Sequence, residues 1–135
     1  VLGAVVVVSD STAAGTRRDE SGPAIAARMA DAGVQVQGIT VLPDEPDAIA
    51  QELRRLVDAG VHLVFTSGGT GLGPRDRTVE AARRVIEREA PGISEAMRVH
   101  GFLRTPRAAL SRGVDSSACT VLAHRHNPPP NQRTR

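Results

Sequence analysis

Aromatic residues are nearly absent from this 135-residue chain. It has no tryptophan or tyrosine, and Phe65 and Phe102 are its only phenylalanines. Without aromatic platforms, stacking on the bases of single-stranded nucleic acid is disfavoured. The core must instead consist of Val, Leu, Ile and Ala, which is typical of a parallel sheet covered by helices.

Lysine is also missing, so arginine carries all 17 basic charges. Residues 1–115 contain 14 arginines and 15 acidic residues, whereas residues 116–135 contain three arginines and no acid. The small positive net charge therefore belongs to the tail. A nucleic-acid-binding protein would carry a basic stripe on its folded body, and we predict no such partner.

Cysteine occurs once, at Cys119, which excludes an internal disulfide and fits a reducing compartment. A nucleophilic role is one interpretation of Cys119, but a small apolar residue in a strand is the favoured one. The longest early apolar run, residues 2–8, is far too short to span a membrane. We therefore predict a cytoplasmic protein without a membrane partner.

Apolar strand-like and amphipathic helix-like segments alternate along the chain. Strands are predicted at about residues 2–8, 34–42, 61–67 and 120–123, and helices at about 23–31, 47–58, 78–89 and 93–100. This alternation predicts a three-layer α/β fold, an open, mostly parallel sheet with helices on both faces. The domain is expected to cover residues 1–123, and the polar, proline-rich residues 124–135 are expected to be disordered.

Polar residues follow each of the first three predicted strands, as Ser9-Asp10, Asp44-Glu45 and the segment from Ser67 to Asp76. In open α/β sheets, ligands bind outside the carboxyl ends of the strands, at the point where the strand order reverses. We therefore expect the three groups to converge on one site.

The segment after the third strand carries four glycines within six positions, at 68, 69, 71 and 73, followed by Pro74-Arg75-Asp76. Glycines allow close approach to backbone N–H groups, and successive exposed N–H groups bind anions, above all phosphate. Arg75 could hold phosphate with its fork, and an aspartate could hold Mg²⁺. The alternative is a tight turn with no ligand. Neither the Walker pattern nor the dinucleotide fingerprint G-x-G-x-x-G is present.

On these residues the chain resembles the MogA/MoaB family of molybdenum-cofactor biosynthesis, whose fold is shared by domains of gephyrin and MoeA. The matching motifs occur in family order: Val8-Ser9-Asp10, Asp19-Glu20-Ser21-Gly22-Pro23, Pro43-Asp44-Glu45, Thr66-Ser67-Gly68-Gly69-Thr70-Gly71, Pro74-Arg75-Asp76, Pro91-Gly92 and Leu110-Ser111-Arg112.

The resemblance implies a nucleotidyltransferase that adenylylates molybdopterin, with Mg²⁺ as cofactor and ATP as co-substrate. It also implies a homotrimer that passes its product to a molybdate-insertion enzyme. Asp44 and Asp76 match the family's essential carboxylates and would hold Mg²⁺. The substrate- and phosphate-binding positions would be Ser9, Asp10, Ser67, Gly68, Gly69, Thr70, Gly71, Arg75 and Ser111.

Purely structural roles for these residues also stay open. Asp44 could cap the following helix, Asp76 could hold the Pro-Arg-Asp turn, and Asp10 could close the turn after the first strand. Ser111 could be a loop hydroxyl bonded to backbone.

Beyond residue 123 the family continues with an Asn-Leu-Pro-Gly-Ser-Pro-like turn and a long helix, whereas this chain reads His124-Arg125-His126-Asn127-Pro128. That turn contributes to the family's binding pocket, so catalysis by this chain is an open question at this point. Two other functions are therefore retained: a non-catalytic protein that binds molybdopterin or an intermediate, and a generic phosphate-binding scaffold.

Overall fold

Four parallel strands form the sheet. The computed structural model describes residues 1–116 and, as backbone only, the strand at 120–124. The strands are β1 (Leu2–Val8), β2 (Gln35–Leu42), β3 (Leu63–Ser67) and β4 (Thr120–His124), in the order β2-β1-β3-β4. The prediction for residues 124–135 as a tail, and that for Cys119, fall on positions outside the described residues, apart from the backbone of His124.

Helices connect the strands in the predicted alternation. They are α1 (Asp10–Ala13), α2 (Ser21–Asp31), α3 (Pro46–Asp58), α4 (Thr78–Arg83), α5 (Pro91–Phe102) and a 3₁₀ helix (Pro106–Leu110). The prediction that the helix from residue 78 runs to 89 is wrong, because α4 ends at Arg83. The chain turns there so that Val85 and Ile86 pack against the core. None of the helices described is long and apolar enough to cross a membrane.

Strand β1 supplies side chains to both faces of the sheet. Ala4, Val6 and Val8 pack with α3 and α4 on one face. Val5 and Val7 pack with α2 on the other. A strand covered on both faces reads as a continuous apolar run rather than an alternating one, which is the pattern of residues 2–8. The three-layer α/β prediction is confirmed.

The chain order reverses between β1 and β3. The first connection leads from β1 to β2 on one side, and the second crosses back to place β3 on the other side of β1. This arrangement opens a crevice between the carboxyl ends of β1 and β3. Ser9 follows β1 there, and Gly68 follows β3.

The start of α5 lies beside a buried acidic residue. Asp115 is 1% exposed, and its carboxylate oxygens lie beside Ser94 without a well-aligned hydrogen bond to any described residue. Its backbone oxygen accepts a hydrogen bond from the Ala90 N–H at 2.7 Å. Burial raises the pKa of the Asp115 carboxyl, and the neighbouring Ser94 and Arg98 offset this rise only in part.

We predict that Asp115→Asn stabilises the protein at neutral pH, because an amide avoids the cost of burying a charge. A raised native pKa favours folding below the unfolded-state pKa, and this contribution is lost as pH rises through the native pKa. The difference in unfolding free energy, variant minus wild type, should therefore grow from acid to neutral pH in urea titrations. Asp58→Asn, on an exposed residue, is the control. An Asp115→Asn protein less stable than wild type at pH 7 would contradict this.

Candidate functional site

The site begins at the end of β1. The Ser9 N–H donates to the carbonyl of Leu42 at the end of β2, at 2.9 Å. The Ser9 Oγ accepts from the Thr12 N–H at 3.3 Å and so caps α1. Ser9 therefore joins two strand ends and turns the chain so that Asp10 faces the crevice.

Asp10 connects all three strand ends. Its Oδ1 accepts from the Asp44 N–H at 2.9 Å. The fork of Arg75, in the loop after β3, donates to both oxygens of Asp10, from Nη2 at 2.9 Å and from Nε at 3.0 Å. The expected convergence of the three polar groups is therefore present in the structure.

Arg75 also contacts Glu45, with its Nη2 3.0 Å from Oε1. These two carboxylates raise the pKa of the guanidinium, and the Arg75 hydrogen bonds lower the pKa of Asp10. The side chain of Arg75 is still 58% exposed. The Arg75 guanidinium is thus accessible to a phosphate, but it is already paired with the carboxylates of Asp10 and Glu45.

Asp44 is the buried carboxylate of the site, with 7% of its surface exposed. Its Oδ1 accepts from the Arg77 N–H at 3.0 Å, which ties the end of β2 to the start of α4. Burial raises the pKa of Asp44, and the nearby carboxylates of Asp76 and Asp10 add to the rise. Asp44 does not cap the following helix α3, where no side-chain capping bond is present.

Asp76 holds the turn before α4. Its Oδ2 accepts from the Gly73 N–H at 2.8 Å, and its own N–H donates to the Gly73 carbonyl at 3.0 Å. The turn-holding interpretation of Asp76 therefore applies in this structure. The same turn keeps the Asp76 carboxylate close enough to Asp44 to affect its pKa.

Two glycines of the loop are required by close packing. Gly68 has φ +98°, and a Cβ on it would collide with the carbonyl oxygen of Val8. Gly69 has φ +63°, and its Cβ would collide with Thr78 Oγ1 and lie 3.0 Å from Asp44 Oδ2. These glycines let β1, β3 and α4 approach one another. Ser67, the last residue of β3, is buried immediately before them.

Two threonine hydroxyls are buried beside the glycines. Thr70 is 1% exposed and Thr78 is not exposed, and the Oγ1 of each has no hydrogen-bond partner among the described residues. Buried hydroxyls are ordinarily bonded to protein or water. Thr78 is the first residue of α4, and Arg77 occupies the N-cap position without a side-chain capping bond.

Arg112 is the site residue that sequence reasoning missed. It donates to the carbonyls of Gly71 and Asp76, each at 2.8 Å, and to Glu80 Oε1 at 2.7 Å. The side chain of Ser111, the predicted site residue, is linked to backbone instead: its Oγ accepts a long 3.4 Å bond from the Gly113 N–H. The Leu110-Ser111-Arg112 motif contains both residues, and the prediction assigned the site role to the Ser111 hydroxyl rather than to the Arg112 guanidinium.

Comparisons with known proteins identify the family of the chain. A family model described as "Probable molybdopterin binding domain" matches residues 4–123. The chain belongs to this family. The resemblance to MogA/MoaB proteins drawn from the motifs is thereby confirmed.

Two relatives of this chain have names that bear on its function. A molybdopterin adenylyltransferase of Haemophilus influenzae is 42% identical to it over 113 residues, which are 82% of this chain and 57% of that protein. A molybdenum cofactor biosynthesis bifunctional protein of Chlorobaculum tepidum is 39% identical over 109 residues, 81% of this chain and 35% of that protein. The chain thus spans only part of these relatives.

Solved structures show the same fold. The molybdopterin biosynthesis enzyme MoaB of Thermus thermophilus superimposes with a TM-score of 0.87 at 41% identity, covering 94% of this chain and 82% of that one. A MogA structure gives a TM-score of 0.90 at 34% identity, covering 95% and 85%.

Two carboxylates of the site, Asp44 and Asp76, are of the kind that would hold Mg²⁺. Over residues 1–116 no group of three or more His, Cys, Asp and Glu side chains could hold a metal ion. Mg²⁺ prefers one or two carboxylates completed by substrate phosphates and water. Asp76 lies close enough to raise the pKa of Asp44, and a pair of neighbouring carboxylates of this kind fits that preference.

We predict that Gly68→Ala lowers the free energy of unfolding by about 2 to 4 kcal/mol, because the methyl group meets backbone and the positive φ disfavours alanine. Gly38→Ala is the matched control, since a Cβ on Gly38 in β2 meets nothing within 4 Å. Chemical denaturation of both variants measures the difference. Equal stability of the two would show that the β1–β3 contact is not as tight as described.

Proposed function

We propose that this chain acts in molybdenum cofactor biosynthesis and transfers the adenylyl group of ATP to molybdopterin. The observation that supports this best is the Asp10 network. It joins the ends of β1, β2 and β3, and so gathers Asp44, Asp76 and Arg75 around a glycine loop. The names of the H. influenzae relative and its family agree with that chemistry.

In this reaction a phosphate oxygen of molybdopterin attacks the α-phosphorus of ATP. The bond from that phosphorus to the oxygen bridging to the β-phosphate breaks, and pyrophosphate leaves with the electron pair. Negative charge grows on the nonbridging oxygens and the leaving group. The protein contributes mainly by positioning the two phosphates and by stabilising this charge.

Residues at the three strand ends would divide these tasks. Asp44 and Asp76 would hold Mg²⁺, which when bound neutralises phosphate charge. The N–H groups of residues 68–71 would hold phosphate oxygens. Arg75 would exchange Asp10 or Glu45 for a phosphate, because its fork suits either anion. Ser9, Asp10, Ser67 and Ser111 are the proposed neighbours of the pterin or nucleotide.

We predict that Asp76→Asn lowers kcat/KM for Mg²⁺- and molybdopterin-dependent pyrophosphate release from ATP by about 100-fold or more. The amide can still accept the Gly73 hydrogen bond, so the turn should survive while the charge that would hold Mg²⁺ is lost. Asp58→Asn, at the exposed end of α3, should leave the rate unchanged. If Asp76→Asn releases pyrophosphate with the same kcat/KM as the wild-type protein, the role assigned to Asp76 is contradicted.

The second candidate is a molybdopterin-binding protein that does not turn over ATP. It is favoured by the engagement of Asp76 with Gly73 and of Arg75 with Asp10 and Glu45. Calorimetry separates the two functions. A catalytic protein binds Mg²⁺-ATP and releases pyrophosphate, whereas the binding protein takes up molybdopterin and does neither.

We further propose a homotrimer, located in the cytoplasm, that passes its product to a molybdate-insertion enzyme. Support for assembly comes from an apolar surface at the end of α5, where Val99, Phe102 and Leu103 are 67%, 55% and 81% exposed. Such a patch favours burial by a partner chain. The single cysteine, which fits a reducing compartment, supports the location.

Light scattering should give three times the chain mass for the wild type and a smaller mass for Phe102→Asp, because the new charge would oppose burial of this surface. Arg104→Asp, an exposed change just beyond the helix, controls for added negative charge. A monomeric wild-type protein would overturn the trimer, and an undisturbed trimer in Phe102→Asp would place the contact elsewhere.

A further inference from the structure

The loop segment from Gly71 to Asp76 has little apolar packing to hold it. Leu72 is 69% exposed, and Gly73, Pro74 and Arg75 are exposed as well. The hydrogen bonds between Gly73 and Asp76 lie within the segment and set only its local turn. A defined position for the segment must therefore come from polar contacts with the rest of the fold.

Arg112 supplies such contacts at both ends of the segment. Its Nε donates to the Gly71 carbonyl and its Nη2 to the Asp76 carbonyl, both at 2.8 Å. Its backbone N–H donates to the carbonyl of Thr70 at 3.0 Å. One residue, 36 positions after Asp76, thus bridges the beginning and the end of the segment.

The guanidinium is itself anchored. Its Nη1 donates to Glu80 Oε1 on α4 at 2.7 Å, and the Arg112 side chain is 31% exposed. A guanidinium is planar, so the three acceptors lie in positions fixed by one rigid group. Hydrogen bonds with a charged donor are also stronger than neutral ones.

Behind Arg112 lies a cavity of about 300 Å³, lined by residues that include Arg83, Ser94, Arg98, Gly113 and Asp115. Protein interiors are otherwise close-packed. None of residues 71–76 lines this cavity, so the cavity adds no packing contact to the segment. The hydrogen bonds of Arg112 restrain the two ends of the segment. The contacts of Arg75 with Asp10 and Glu45 restrain its middle, and the Arg77–Asp44 bond follows just after it.

We propose that Arg112 is a positioning residue, which holds residues 71–76 in the conformation that receives the nucleotide phosphates. This inference rests on the proposed function for the identity of the ligand. It assigns no contact between Arg112 and substrate. Arg112 acts through the backbone of the glycine loop and through the placement of Asp76.

Arg112→Gln and Arg112→Lys test this role, and Arg98→Gln is the matched control. Glutamine removes the charge and the fork, whereas lysine keeps the charge but cannot present three planar donors. Arg98 lines the same cavity but donates to the carbonyls of Ser111 and Gly113, at 3.4 and 3.3 Å, rather than to the glycine loop.

The first measurement is amide hydrogen exchange of the unliganded proteins. We expect the amides of residues 71–77 to exchange at least about tenfold faster in both Arg112 variants, with β1 and β3 unchanged, since local opening responds to local restraints. Arg98→Gln should leave residues 71–77 as in wild type. Unchanged exchange there in Arg112→Gln, or a uniform increase that includes the strands, would overturn the inference.

The second measurement is binding of Mg²⁺-ATP by calorimetry. We expect both Arg112 variants to bind about tenfold or more weakly than Arg98→Gln, because a displaced loop loses preorganised contacts. Equal affinities in Arg112→Gln and Arg98→Gln would contradict the role in phosphate binding. A wild-type protein that binds no Mg²⁺-ATP would overturn the proposed function and the phosphate role together, while exchange would still decide whether Arg112 orders the segment.

Discussion

The carboxylate of Asp10 is the interaction on which the site depends. It follows β1, accepts a hydrogen bond from the backbone after β2, and receives the fork of Arg75 from the loop after β3. Parallel strands bring their carboxyl ends to one edge, but they do not by themselves orient the loops that follow. One anion with two oxygens performs that orientation here.

Steric constraints act on the same edge of the sheet. Gly68 and Gly69 allow β3 and its loop to approach Val8, Thr78 and Asp44 more closely than any side chain would permit. A glycine segment can therefore serve packing and anion binding together. The tight-turn and phosphate-binding interpretations of these residues are compatible, because a residue without a Cβ permits both close packing and close approach of a ligand to the backbone.

Negative charge is concentrated where folding alone would not favour it. Asp44 is buried, and Asp76 and Asp10 lie near enough to raise its pKa. Such clustering costs stability in an unliganded protein and is common at functional sites. Arg75 offsets part of this charge by pairing with the carboxylates of Asp10 and Glu45.

The sequence by itself determined the fold class, the family and the three polar groups, because β1's apolar run, the amphipathic helices and the glycine motif are local patterns. Tertiary structure alone decided which partners these groups meet. No local pattern shows that Asp10 binds both Asp44 and Arg75, that α4 ends at Arg83, or that Arg112 rather than Ser111 reaches the loop. Those outcomes depend on contacts between residues more than 30 positions apart or, for α4, on packing against the core.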